Sequence, residues 1–297
     1  MTLKQLQHFL AVQRHASFTL AAREQSIAQP ALSISIKNLE RQLGVKLFLR
    51  HDRNVILSDE GKVLFSYAAN IVQQLEDAQL AMSELKGLVK GEVRLGTPSM
   101  MGSYFFPDII MAFKQRYPKL KLTVVDAGTQ SIREMLLSAE LDVGVILNQN
   151  VPPALETQLL LSSQMVAVFS PQHPLAKQAL VNFEQFFEND LVMFKPGYFH
   201  RDFIDAACEA HNLSARFAFE TNLLTMILKI VGQNFATTAL LEIVTQNEDS
   251  VVGVPFNPAV HLDLALAWRK EGYLSIAERC FIDFVNEYMN SRGDTSL

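Results

Sequence analysis

Residues 17–50 read SFTLAAREQSIAQPALSISIKNLERQLGVKLFLR, and this stretch decides the fold of the first sixty residues. Ser17 stands where an N-cap belongs, and Phe18 to Gln25 predicts a short helix. After Ser26-Ile27-Ala28 a second helix opens on Gln29-Pro30; proline suits a first turn because its missing N–H has no helical partner there. Leu32, Ile36, Leu39 and Leu43 give that helix a buried stripe, and Gly44 fits the C-cap. Its other face carries Gln29, Ser33, Ser35, Lys37 and Arg41. Two short helices joined by a tight turn, the second polar and basic outside, read as a helix-turn-helix. An amphipathic helix through Leu3, Leu6, Phe9 and Leu10 precedes them, ending at His15.

Downstream, Lys46–Arg50 and Val55–Leu57 are two β runs around a polar loop, a wing whose Arg50 and Arg53 can touch DNA phosphates. Ser58-Asp59-Glu60-Gly61 then starts a long helix, with a serine cap and acids in its first turn. Leu64, Ala68, Ile71, Leu75, Ala78, Met82 and Leu85 recur at alternating spacings of 4 and 3, a heptad that predicts a paired-helix seam. This dimerising linker is expected to end near Gly87 to Gly91.

Beyond it the chain alternates strand and helix. Strand runs are Val93–Gly96, Leu122–Asp126, Asp142–Leu147, Met165–Ser170, Leu191–Phe194, Arg216–Glu220, Val251–Val254 and Leu262–Trp268. Helical stretches are Phe105–Arg116, Ile132–Ala139, His200–His211, Leu223–Gly232 and Ile276–Met289. The alternation predicts a parallel sheet with helices on both faces. About 200 residues exceed one such sheet, so two lobes are expected, with ligands in the cleft between them. The expected domains are 1–57 (DNA-binding), 58–90 (linker helix) and 91–297, with lobe one about 91–162 and 268–297 and lobe two about 163–267.

Composition agrees. The 297 residues carry a formal net charge of −5, yet residues 1–62 hold nine Lys and Arg against five Asp and Glu. That is +4 on the head and −9 on the remainder, a basic module on an acidic body. No apolar run spans a bilayer and the N-terminus has no signal-peptide core, so a cytoplasmic protein with no membrane partner is expected. Two cysteines, Cys208 and Cys280, make no disulfide framework, and the seven histidines lack metal spacing. No metal, cofactor or catalytic constellation is expected: no P-loop, dinucleotide fingerprint or nucleophile-plus-base motif occurs.

Ser17-Phe18-Thr19, Ala21-Ala22, Gln29-Pro30-Ala31-Leu32-Ser33, Leu39-Glu40, Leu43 to Phe48, Arg50 and Leu57-Ser58-x-x-Gly61 resemble the N-terminal signature of LysR-type transcriptional regulators. The resemblance covers the whole chain in order and length. It implies an all-α winged helix-turn-helix with a linker helix, followed by a two-lobed α/β effector domain like periplasmic binding proteins. It also implies a homodimer through the linker, a homotetramer on double-stranded promoter DNA, RNA polymerase as a candidate partner, and a small-molecule effector in the cleft. Two departures stand out in the head. Ala28 replaces the usual serine before Gln29-Pro30 and offers no side-chain cap, and Ile34 replaces a common arginine after Ser33. In the effector domain Asn234-Phe235-Ala236 stands where the family has Gly-x-Gly, and asparagine tolerates the left-handed turn.

The DNA-binding candidates are therefore Gln29, Pro30, Ser33, Ser35, Lys37, Arg50 and Arg53, with methyl contact to thymine from Pro30 or Ala31. For the effector, the resemblance points to Ser99, Met100, Met101 and Ser103 after the first strand and Thr129 after the second. It adds Ile146 and Asn148 on the crossing side, and Phe199, His200, Arg201 and Asn222 from lobe two. Met100, Met101 and Phe199 suggest a partly apolar or aromatic ligand whose carboxylate meets backbone N–H groups and Arg201. A redox-sensing regulator using Cys208 is the alternative within this fold. A solute-binding or enzymatic α/β protein is the alternative from another class, and it leaves the helix-turn-helix without a purpose.

Overall fold

A computed structural model describes residues 1–51, 54–84 and 91–292, and the chain divides into two compact units. In the N-terminal unit, α1 (Leu3–His15) begins on a capping box between Thr2 and Gln5. Next, α2 (Phe18–Glu24) is capped by Ser17, whose hydroxyl accepts from Leu20 N. The third helix, α3 (Gln29–Leu43), starts at Ala28 with no side-chain cap and ends at Gly44, whose φ of 72° is the left-handed geometry that favours glycine. Phe9, Val12, Ala21, Leu32, Leu39 and Leu47 are fully buried at the centre of the three helices. The wing is an antiparallel hairpin of β1 (Phe48–His51) and β2 (Asn54–Leu57), with Phe48 opposite Leu57.

Glu40 ties α3 to the wing. Its carboxylate accepts from Leu47 N at 2.9 Å and from Lys46 Nζ at 3.2 Å, so a nearly buried acid satisfies a backbone donor at the wing's entrance. Ser58 closes the other side: its hydroxyl donates to Lys46 O at 2.5 Å and accepts from Gly61 N at 2.9 Å.

The linker, α4 (Asp59–Glu84), runs 26 residues, about 39 Å at the helical rise. The predicted seam needs correction in its first half. Ala68 is buried in the head's own core, where Leu64 also packs, together with Val72 and Phe65. Val63, Tyr67, Ile71, Leu75 and Met82 are instead the exposed apolar positions. Leu85 lies outside the described residues.

The C-terminal unit holds, in order, β3 (Glu92–Thr97), α5 (Phe106–Arg116), β4 (Lys121–Asp126), α6 (Thr129–Leu137), β5 (Val143–Leu147) and β6 (Leu155–Phe169). Then come α7 (Phe183–Phe187), β7 (Asp190–Met193), α8 (Phe199–His211), β8 (Arg216–Glu220), α9 (Leu224–Gly232), β9 (Thr238–Leu241), α10 (Glu242–Asn247), β10 (Val252–Arg269) and α11 (Ile276–Arg292). A six-stranded sheet has the order β4-β3-β5-β10-β6-β9, and β7 pairs with β8 beside it.

The expected all-parallel sheet is corrected to a mixed one. Strands β3, β4 and β5 are parallel, as are β7 and β8, but β10 runs antiparallel to both β5 and β6. Val251–Val254 and Leu262–Trp268, read from sequence as two strands, belong to the single 18-residue β10. Met165–Ser170 is only the end of the 15-residue β6. These two strands pass through both lobes: their middles shift register between Pro255 and Val260 and between Leu264 and Ala265. Strand β9 went unread because its four buried residues give no alternation. Asn234 does adopt the left-handed conformation, at φ 60°.

In lobe one, Val93, Leu95, Val143, Val145 and Ile146 are fully buried between sheet and helices. Asp142, only 5% exposed, receives Arg94 N at 2.7 Å and the Arg94 guanidinium. That charge-assisted pair holds the start of β5 against β3.

Candidate DNA and effector sites

The outer face of α3 is where the head meets solvent. Gln29, Pro30, Ala31 and Lys37 are exposed, and Ser33 is half-buried. Ser33, Lys37 and Lys46 line a groove of about 390 Å³ between α3 and the wing. Ser35 points another way: its hydroxyl is 2.7 Å from His8 Nδ1 on α1, so it positions the helix against the head. Burial, with a smaller push from Lys4, lowers the pKa of His8. Ile34 is 58% exposed on the same side as the polar residues, an aliphatic group able to meet a thymine methyl. Arg53 lies outside the described residues, as does the side chain of Arg50.

The second site is a cavity of about 340 Å³ in the C-terminal unit, lined by Thr97, Ser99, Gly102, Ser103, Asp126, Asn222, Leu223, Leu224 and Thr225. Its walls come from the carboxyl ends of β3 and β4 in lobe one and from the turn into α9 in lobe two. Ligands of open α/β sheets occupy this position. Helix begins at Ser99 and passes through a π-helical segment, Met101–Phe105, before α5. Single π turns inside helices recur at functional sites. Ser99 Oγ donates to Asp126 Oδ2 at 2.8 Å, and Asn222 Oδ1 accepts from Lys195 N at 3.1 Å.

Three of the predicted effector residues, Ser99, Ser103 and Asn222, line this cavity together. The other eight do not. Met100, Met101 and Ile146 are core residues, at most 1% exposed. Phe199 and His200 are buried in lobe two, with the His200 ring stacked 5.0 Å from Phe194. Thr129 is buried at the start of α6. Asn148 is exposed and accepts from Thr157 Oγ1 at 3.3 Å. Arg201 lies over the Phe217 ring at 4.0 Å and is ion-paired with Asp205 and Glu220. Burial opposes its charge, but those two acids outweigh it and raise its pKa.

Asp126 and Thr225 were missed. The signal was present: Asp126 ends a strand whose carboxyl end faces the cleft. Its negative charge reaches the neighbouring ring of Tyr198, whose phenol burial first, and Asp126 second, push up.

The lobes touch beside the cavity. A Cβ at Gly128 would fall 2.2 Å from Gly197 O, so the glycine permits backbone to meet backbone. Tyr104 OH donates to Glu248 Oε1 at 2.6 Å, and burial followed by that bond raises its pKa. Cys208 is half-buried and free, and burial raises its pKa, which leaves little thiolate near neutral pH. Among the described residues no three His, Cys, Asp or Glu side chains cluster to hold a metal, and no helix is long and apolar enough to cross a membrane.

A helix-turn-helix head carried on a linker helix, followed by a two-lobed domain with a cavity between its lobes, defines a ligand-responsive DNA-binding regulator. Residues 3–62 match the bacterial regulatory helix-turn-helix family of the lysR type, and residues 86–290 match the LysR substrate binding domain. The chain belongs to the LysR family of transcriptional regulators, and its C-terminal domain is the effector-binding one.

Similar proteins include the uncharacterized HTH-type transcriptional regulator YwbI of Bacillus subtilis, 28% identical over 97% of both chains. The HTH-type transcriptional activator CmpR of Synechocystis is 27% identical over 96% of this chain and 94% of its own. Among solved structures, a full-length OxyR point variant from Pseudomonas aeruginosa shares the fold at a TM-score of 0.74 and 23% identity, covering 96% of this chain and 95% of that one. The effector binding domain of QuiR in complex with shikimate aligns at a TM-score of 0.60 and 21% identity, over 68% of this chain and 98% of that domain.

Proposed function

We propose that this regulator reads promoter DNA with Gln29, Pro30, Ser33, Ile34 and Lys37 of α3, and that Arg50 and Arg53 of the wing hold the flanking phosphates. The supporting observation is the division of α3 into two faces. Leu32, Ile36 and Leu39 are buried while Gln29, Pro30 and Lys37 stand free, as a helix entering the major groove requires. Ser35 acts indirectly, through His8. The functional divisions are a head of residues 1–57, the linker 58–90 and the effector domain 91–297.

The effector occupies the cavity between the lobes, and its binding changes how the lobes close. Such a shift needs a ligand that binds one closure state better than the other. The exposed apolar positions of α4 support a homodimer, and the family resemblance supports a homotetramer acting in the cytoplasm. A redox role for Cys208 is disfavoured by the raised pKa of its thiol.

Footprinting the purified chain on the DNA upstream of its own gene tests the reading. Lys37→Ala should weaken binding to every sequence and lower the salt slope by about 1. Unchanged affinity at every salt concentration overturns the assignment of Lys37.

A further inference from the structure

The effector's chemical class can be read from the cavity. The only ionisable side chain lining it, among the described residues, is Asp126. Its exposed carboxylate receives the Ser99 hydroxyl, a neutral donor that does not cancel its negative charge. Arg201, the cation expected to meet a ligand carboxylate, is held by Asp205 and Glu220 and is not part of the wall. The remaining polar lining is hydroxyl and amide: Thr97, Ser103, Thr225 and Asn222. Ser99, the residue best placed to donate to a bound anion, already donates to Asp126. A simple carboxylate brought here would face like charge without a cation to offset it.

We propose that the cavity takes a small ligand bearing a protonated amine, which seats on Asp126 while Ser103, Thr225 and Asn222 hydrogen-bond its polar remainder. The proposal rests on the reading of this cavity as the effector site, and it replaces the carboxylate expected from sequence. A charge-assisted N–H to carboxylate bond supplies the discrimination. The shared chemistry is the ammonium group, carried either by a plain amine or by an amino acid. In an amino acid, the carboxylate would point toward the N-terminus of α9.

The experiment is a thermal-shift and calorimetric screen of the full-length protein. The probes are butane-1,4-diamine, lysine, glutamine, succinate, benzoate and glycerol. At least one amine-bearing probe should raise Tm by a few degrees at saturation. Diamine binding alone identifies a plain amine, and amino-acid binding alone identifies the zwitterion. Asp126→Asn should weaken that probe's Kd roughly 10- to 100-fold. Ser103→Trp, at an exposed position on the rim, should abolish binding by filling the cavity.

A shift with succinate or benzoate alone, with glycerol alone, or with no probe overturns the proposal, as does an Asp126→Asn variant that binds the amine unchanged. The two readings fail differently. Carboxylate binding abolished by Ser103→Trp refutes the amine class and keeps the site, whereas binding indifferent to Ser103→Trp refutes the site itself. The wild-type screen is decisive even where a variant proves unstable.

Discussion

His200 is packed against Phe194 and Phe199, with both ring nitrogens buried and, among the described residues, no hydrogen-bond partner for either. Complete burial holds its pKa well below the usual histidine value, so the folded protein keeps it neutral. The unfolded chain protonates the same ring near pH 6.5. Below that pH the unfolded state binds more protons, and stability falls as the pH drops. His200→Phe should therefore flatten the dependence of unfolding free energy on pH between about 5 and 6.5, by up to about 1.4 kcal/mol per pH unit. Urea titrations at several pH values measure this, and an unchanged slope rejects it. The residue scale also shows why side-chain type alone misled. Histidine, arginine and methionine near the cleft looked like ligands, but His200 and Met101 are core and Arg201 is already paired. Asp126, which was not among the residues expected from sequence, lines the cavity.

At the scale of elements, the heptad of α4 divides between the head and solvent. Its first turns present Leu64, Phe65, Ala68 and Val72 to the head, while Ile71, Leu75 and, near its end, Met82 face solvent. A helix of period 3.6 drifts about 20° per heptad against a 3.5 repeat, so a strict sequence seam does not stay on one face of a straight helix. In the proposed homodimer this exposed stripe is the face that a second copy covers. Ile71→Glu with Leu75→Glu should place charges in that seam at a cost of several kcal/mol. Sedimentation at micromolar concentration should then show monomer where the parent chain is dimer, and persistence of the dimer would locate the interface elsewhere. The uncapped start of α3 at Ala28 was legible in sequence because capping depends on one residue type. The antiparallel run of β10 was not, because strand direction leaves no local mark.

For the whole effector domain, the closure of the two lobes is recorded in Gly128 and Gly197. Any side chain at Gly128 meets the Gly197 carbonyl, which cannot retreat without moving lobe two. Gly128→Ala should hold the lobes apart and cost about 1–3 kcal/mol. That is a few degrees in Tm for a domain of this size, with a wider interlobe distance in solution scattering. An unchanged melting temperature and unchanged dimensions would show the contact to be dispensable. Sequence by itself determined the winged head, the linker helix and the alternating α/β body. Caps, periodicity and the Gln29-Pro30 motif are local signals, and local signals survive in a linear string. Tertiary structure alone decided the mixed sheet, the core position of Met100, Met101 and Ile146, and the cavity around Asp126. Each depends on which distant strand ends meet, so a residue's neighbours in space, not in sequence, set whether it packs, pairs or waits for a ligand.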